Sequence, residues 1–259
     1  MKYKLGLKLG SKDTQYTDDI LRYYDEGVFQ YIELFAISDT YRETISYWKQ
    51  FNIPFGIHAP HSAAGLNLAC RENREINKSK IEESIKFADS LKADYIIFHS
   101  GVNGTCDEVV TQLKPFVDSR FLIENKPIKG LDGSTCVGAT ISELDSIISE
   151  LNSGFCLDFG HAICAARTQG FEPLDYIKSL KEKFNPRVYH LTDGDYSSEL
   201  DSHLHYGKGS FPLKELLKFV PDGYKVTNEA KRERNDCLIE IMEDYRNLKI
   251  IVKFLQLVL

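Results

Sequence analysis

What this 259-residue chain lacks narrows its class first. No apolar run approaches the roughly 18 residues of a membrane-spanning helix, and the opening MKYKLGLKLGSK has neither the apolar centre nor the cleavage site of a secretory signal. A cytoplasmic protein without membrane association is therefore expected. Paired cysteines are missing too. Cys70, Cys106, Cys136, Cys156, Cys164 and Cys237 form no CxxC unit and show no regular spacing, which points to buried free thiols in a reducing compartment. No GxGxxG turn follows the first strand-like stretch, so the usual cue for a dinucleotide-binding sheet is absent. Low-complexity tracts, linkers and repeats of roughly 20 to 50 residues are absent as well. A formal charge of −6 offers nucleic acid no bulk attraction, although bound cations and a local basic cluster can reverse the potential at one face.

What is there is an alternation. At 42% hydrophobic and 27% charged residues, the composition is that of a soluble globular protein with a sizeable core. Short β-rich runs occur at 3–9, 30–35, 54–58, 94–99, 120–124, 154–158, 187–191 and 224–228. Segments of helical spacing separate them, clearest at 76–91, where Ile81, Ile85, Ala88 and Leu91 recur every three or four residues. Others run at 17–24, 41–51, 108–116, 141–151, 173–184, 213–220 and 235–254. Eight strands, each followed by a helix, in a chain of this length predict a (β/α)8 TIM barrel forming one domain over 1–259, with a doubly wound open sheet as the alternative.

Barrel enzymes build their sites at the carboxyl ends of the strands. There the chain places His58, His99, Glu124 and Asp158, with His161 three residues further on, then His190, Asp201 and His203, and finally Glu229. All seven histidines fall at or just after predicted strand ends. Neutral imidazole and carboxylate are the usual ligands for zinc or manganese. Nine such side chains exceed what one ion uses and suit two or three, an arrangement that generates hydroxide at neutral pH and clamps the oxygens of a phosphoryl displacement.

The motifs around these positions are IHAPH at 57–61, LNLA at 66–69, ADYIIFHSG at 93–101, LIEN at 122–125, CLDFGHA at 156–162, YHLTD at 189–193 and DSHLHYGKG at 201–209. Over 54–229 the chain resembles the endonuclease IV family of apurinic/apyrimidinic endonucleases, within the xylose isomerase-like barrels. The resemblance implies that His58, His99 and Glu124 hold a first zinc, and that Glu124 bridges to a second held by Asp158, His190 and Glu229. A third would be held by His161, Asp201 and His203. It further implies cleavage of a phosphodiester by a metal-activated hydroxide, with Zn2+ as cofactor (Mn2+ and Co2+ being acceptable to the same donors) and damaged DNA or a small phosphodiester as partner.

The early strands depart from that family. LGLKLGSK lacks its usual opening, and ELFAISDTYRETISYW after the second strand is closer to the sugar isomerases of the wider group. His61 stands where the family commonly has a tyrosine, and the loop at 62–65 is longer. The competing reading is therefore a sugar isomerase or epimerase with one ion held by Glu124, Asp158, His190 and Glu229, in which the catalytic glutamates Glu124 and Glu229 exchange a proton beside a carbonyl. His61, His205, Lys231 and Arg232 are candidate substrate contacts, and Glu33 a candidate for orienting a histidine. No obligate protein partner is indicated.

Overall fold

The computed structural model describes residues 2–256, so Met1 and residues 257–259 of the expected domain lie outside the described residues. Eight parallel strands close into a barrel in chain order. They are β1 (Lys4–Gly10), β2 (Tyr31–Phe35), β3 (Phe55–His58), β4 (Ile96–His99), β5 (Phe121–Glu124), β6 (Gly154–Asp158), β7 (Val188–Leu191) and β8 (Lys225–Asn228). All eight expected strands form, with ends moved by one or two residues at most. Around them lie α1 (Thr17–Asp25), α2 (Tyr41–Trp48), α3 (Arg74–Leu91), α4 (Cys106–Leu113), α5 (Ile141–Leu151), α6 (Phe159–Gln169), α7 (Pro173–Phe184), α8 (Leu213–Lys218) and α9 (Ile239–Gln256).

The element that periodicity does not reveal is α6. Its residues Phe159 to Ala166 are all buried, so FGHAICAA carries no polar face to alternate with an apolar one. What starts it is legible in chemistry instead: the Asp158 carboxylate accepts the His161 main-chain N–H at 2.6 Å and caps the helix. That cap places Asp158 and His161 side by side.

Two cores follow from the barrel. Outward-facing strand residues pack against the helices in one large apolar cluster. Inside, successive strand residues alternate between faces, and Tyr31, Tyr95, Ile97, Leu122, Cys156 and Val188 fill the lower barrel. Room for the two tyrosine rings comes from glycines opposite. A Cβ on Gly6 would lie 2.2 Å from Tyr31 Cζ, and one on Gly56 would lie 2.0 Å from Tyr95 Cζ. The hydroxyls then reach upward: Tyr95 donates to Glu33 Oε2 at 2.8 Å, and Tyr31 bonds Thr227 Oγ1, which donates to the same Glu33 oxygen at 2.9 Å. All six cysteines are free, three buried and three half-buried. Among the described residues no helix is long and apolar enough to cross a membrane.

This packing makes Gly56 a sensitive position. Gly56→Ala should lower stability in urea by about 2 kcal/mol or more, the usual cost of overpacking a filled core. An unchanged denaturation midpoint would mean that the Tyr95 ring is free to move, and that it does not fix Glu33.

Candidate metal centre

The inward parity of the strands stacks a polar layer on the tyrosine layer. In register, Lys8 lies beside Glu33, Phe35 beside His58, His99 beside Glu124, and Asp158 beside His190. Five overlapping groups of potential ligands result, each with its donor atoms within 4.8 Å of one another: His58, His99 and Glu124; Glu124, Asp158, His190 and Glu229; His161, Asp201 and His203; His58, His190 and Glu229; and Glu124, Cys156 and His190. Glu124 belongs to three of them. It is fully buried, and its oxygens lie 3.1 to 3.3 Å from nitrogens of His58, His99, His161 and His190.

Four of the histidines are fixed from outside the cluster. His58 Nδ1 meets the carbonyl of Ala59 at 2.7 Å, His161 Nδ1 that of Asn125 at 2.9 Å, and His203 Nδ1 that of Glu229 at 2.8 Å. A carbonyl only accepts, so each of these nitrogens carries its proton and donates it. His190 Nε2 likewise faces the Glu33 carboxylate at 3.1 Å. In the neutral ring the opposite nitrogen is then a bare lone pair, and all four point inward.

Those lone pairs face carboxylate oxygens. His58 Nε2 is 3.2 Å from Glu124 Oε2, His190 Nδ1 is 2.9 Å from Glu229 Oε1, and His161 Nε2 is 3.4 Å from Asp201 Oδ2, which His203 Nε2 also touches. Acceptor against acceptor in a dry interior is repulsive unless a cation or a proton lies between. Glu124 Oε1, His190 Nδ1, His99 Nε2 and Asp201 Oδ1 are buried with no hydrogen bond of acceptable geometry, a cost of about 1 to 3 kcal/mol for each atom left so. Protons are the only positive charge the ligand side chains can supply themselves. Burial lowers the pKa of His161, but Asp158 beside it pushes it up to about 10; burial lowers that of His203, and Asp201 pushes it up to about 9. Burial, above all, raises that of Asp158, while for Glu124 burial is overcome by His99 and His190, which hold it well below the usual range. The donor set, imidazole nitrogen with carboxylate oxygen, fits divalent ions of the zinc, manganese or cobalt kind.

Above the cluster opens a cavity of about 550 Å³, into which His58, His99, His161, Asp201, His203 and Glu229 all look. His61 lines it, with its ring 5.4 Å from Phe35 and 5.9 Å from His99. One wall is a hairpin after β5, held by the Val102–Cys136 and Lys129–Thr135 pairings and tipped by the exposed Leu131. Three lysines that the motifs do not reveal also line the cavity, Lys8, Lys126 and Lys129, and the first two stand at the cluster. The Lys8 ammonium bonds Glu229 and lies 3.5 Å from Glu33; Lys126 Nζ lies 3.1 Å from His99 Nδ1. The signal for Lys8 was its parity: in KLGLKLG it shares the inward face with Gly6.

Other candidates are placed elsewhere. His205 is outside the cavity lining, because its Nδ1 bonds Asp244 of α9 at 2.8 Å, where Asn228 also ends. It ties the last helix to the rim. Lys231 has an exposed side chain, and only its main-chain N–H is engaged, by the His203 carbonyl. Arg232 lies in an adjoining cavity of about 320 Å³ shared with Lys8 and Glu229, paired to Asp13 at 2.5 Å with Nη1 left partnerless. Arg234 is paired with Asp236.

Glu33 accepts from His190 Nε2 and so fixes that ring; if the cluster holds an ion on His190, replacing Glu33 should weaken its binding without unfolding the barrel. In Glu33→Gln, affinity for the ion on His190 should fall by about 10- to 100-fold, as for other outer partners of ligating histidines. Metal titration of wild type and variant measures it, and equal affinities would remove Glu33 from that role.

Comparison with known proteins places the chain. The family described as xylose isomerase-like TIM barrel matches residues 25–248. A probable endonuclease 4 of Thermoplasma volcanium is 29% identical over 177 residues, 62% of this chain and 61% of that protein, so the match spans less than two thirds of the relative's length. Endonuclease IV from Thermus thermophilus superposes with a TM-score of 0.68 at 22% identity, covering 98% of this chain and 99% of that one. A D-tagatose 3-epimerase-like protein gives 0.72 at 20%, covering 98% and 100%. These structural likenesses carry the fold alone. With a closed eight-stranded barrel and a family match across most of its length, the chain belongs to the xylose isomerase-like TIM barrel family.

Proposed function

We propose that this chain is a metal-dependent phosphodiesterase that holds two to three zinc ions and cleaves DNA at abasic sites or a related phosphodiester. The observation that carries the reading is that the overlapping ligand groups draw in nine His, Asp and Glu side chains, of which the first three groups named above use each at least once, instead of the roughly four that one ion needs. A mononuclear sugar isomerase or epimerase uses Glu124, Asp158, His190 and Glu229 and leaves His58, His99, His161, Asp201 and His203 without work. The probable endonuclease 4 relative supports the same choice.

On this reading His58, His99 and Glu124 hold one ion, Glu124 with Asp158, His190 and Glu229 a second, and His161, Asp201 and His203 a third. Bound ions supply a hydroxide nucleophile at neutral pH and positive charge against phosphate oxygens. Three divalent ions against the four carboxylates Glu124, Asp158, Asp201 and Glu229 leave the site about two charges positive, a match for an anionic ester. The protein's own groups do the rest. Ala59, Asn125, Glu229 and Glu33 hold the imidazoles in the ligating tautomer through their outer nitrogens. The Lys8 ammonium stands at the cavity beside Glu229, where it faces an anion. Phe35 and His61 give an aromatic wall on which a sugar or base face can rest.

Metal analysis of the purified protein should return two to three ions per chain, and a stable value of one would favour the isomerase. Glu124→Gln should abolish turnover while circular dichroism and the melting profile stay those of a folded barrel; retained activity would remove Glu124 from the chemistry. An oligonucleotide with a single abasic site should be nicked by the metal-loaded protein and spared once a chelator is added. An intact oligonucleotide with the ions bound would count against DNA as the substrate.

A further inference from the structure

Three lysines line the cavity, and their partners differ. Lys8 bonds the carboxylate of Glu229, and Lys129 that of Glu199. Among the described residues Lys126 has no carboxylate partner. Its ammonium is half-buried, and the hydrogen bond it makes is to His99 Nδ1 at 3.1 Å, while its main-chain N–H is pinned to the Gly138 carbonyl at 3.0 Å.

This contact sets His99 apart. The outer nitrogens of His58, His161, His190 and His203 meet acceptors, which put the proton outside and the lone pair inside. The outer nitrogen of His99 meets a donor. With Lys126 donating to Nδ1, the single N–H proton of the neutral ring is on Nε2, the atom that faces Glu124 Oε2 at 3.1 Å and has no hydrogen bond of good geometry. An ion held by His99 through Nε2 needs the opposite tautomer. The ring stays neutral and its proton changes nitrogen, after which Nδ1–H and the ammonium are two donors facing each other. They cannot remain bonded. The pinned main chain leaves the side chain as the part that moves, and the space open to it is the cavity.

Resting on the metal-dependent reading above, we infer that Lys126 is an anion clamp coupled to the ion on His58, His99 and Glu124: His99 holds the ammonium in the metal-free protein, and metal binding releases it to an anionic group of the substrate, a phosphate oxygen. Two sites coupled through one side chain act reciprocally. An anion that captures Lys126 strengthens retention of this ion, and the ion strengthens capture of the anion.

The test is competitive metal titration of the whole chain with Co2+, with and without inorganic phosphate, in wild type, Lys126→Met and His99→Ala. The ion missing from His99→Ala identifies the one concerned. In Lys126→Met that ion should bind about fivefold more tightly without phosphate, because no bond to His99 has to be broken. The gain in its affinity on adding phosphate should shrink several-fold relative to wild type. Lys126 is on a loop and half-buried, and circular dichroism checks that the variant folds. Should Lys126→Met match wild type in both measurements while two to three ions bind, the clamp is wrong and the phosphodiesterase reading stands. Should wild type bind no ion at all, both fall.

Discussion

The structure turns on one electrostatic conflict, the packing of lone pairs against lone pairs at the mouth of the barrel. Four imidazoles have their outer protons held by carbonyls and by Glu33, and their inner nitrogens then confront Glu124, Asp201 and Glu229 at roughly hydrogen-bond distances, contacts that need a proton or a cation between them. A core built only for stability would pair donors with acceptors, since an unpaired buried polar atom costs more than a satisfied one returns. Here the outer hydrogen bonds enforce the unpaired arrangement. The conflict is thus held in place by the fold, and either a proton or a bound cation would relieve it.

The support for this arrangement reaches down through the barrel. Gly6 and Gly56 give up side chains so that the rings of Tyr31 and Tyr95 can cross the interior, and the hydroxyls deliver two hydrogen bonds to Glu33, one directly and one through Thr227. Burial works against a charged Glu33, but His190 and Lys8 hold its pKa down at about 2, so it stays an acceptor for His190. The layer that fills the core and the layer that aims the ligands are therefore one construction. A methyl group added at Gly56 would therefore press on the ring whose hydroxyl holds Glu33.

How much of this is legible in the sequence depends on what each residue's signal is. The strands are legible because their apolar runs are bounded by polar turns. The clustering of His58, His99, Glu124, Asp158, His190 and Glu229 is legible because histidine and acid recur at successive strand ends, where an apolar core has no use for them. Helix α6 is not, since a helix buried all round has no period to detect. His205 misleads because it shares a crowded loop with Asp201 and His203, yet a left-handed backbone at His203 intervenes and His205 ends on Asp244. Lys8 and Lys126 escape for a different reason. Long cationic side chains read as solvated surface, and only the register that sets Lys8 beside Glu33 and the loop that returns Lys126 over His99 reveal that both point at the site.

The same charges bear on when a substrate can enter. Five carboxylates, those of Glu33, Glu124, Asp158, Asp201 and Glu229, meet near the cavity floor, and the chain as a whole carries −6. Without ions, a phosphate approaching the mouth meets lysines already engaged, Lys8 by Glu229 and Lys126 by His99, and a field that repels it. On the proposed reading, loading the ions changes the sign of the local potential at the cavity floor. On that reading an overall acidic protein attracts an anionic ester at the barrel mouth once the ions are bound.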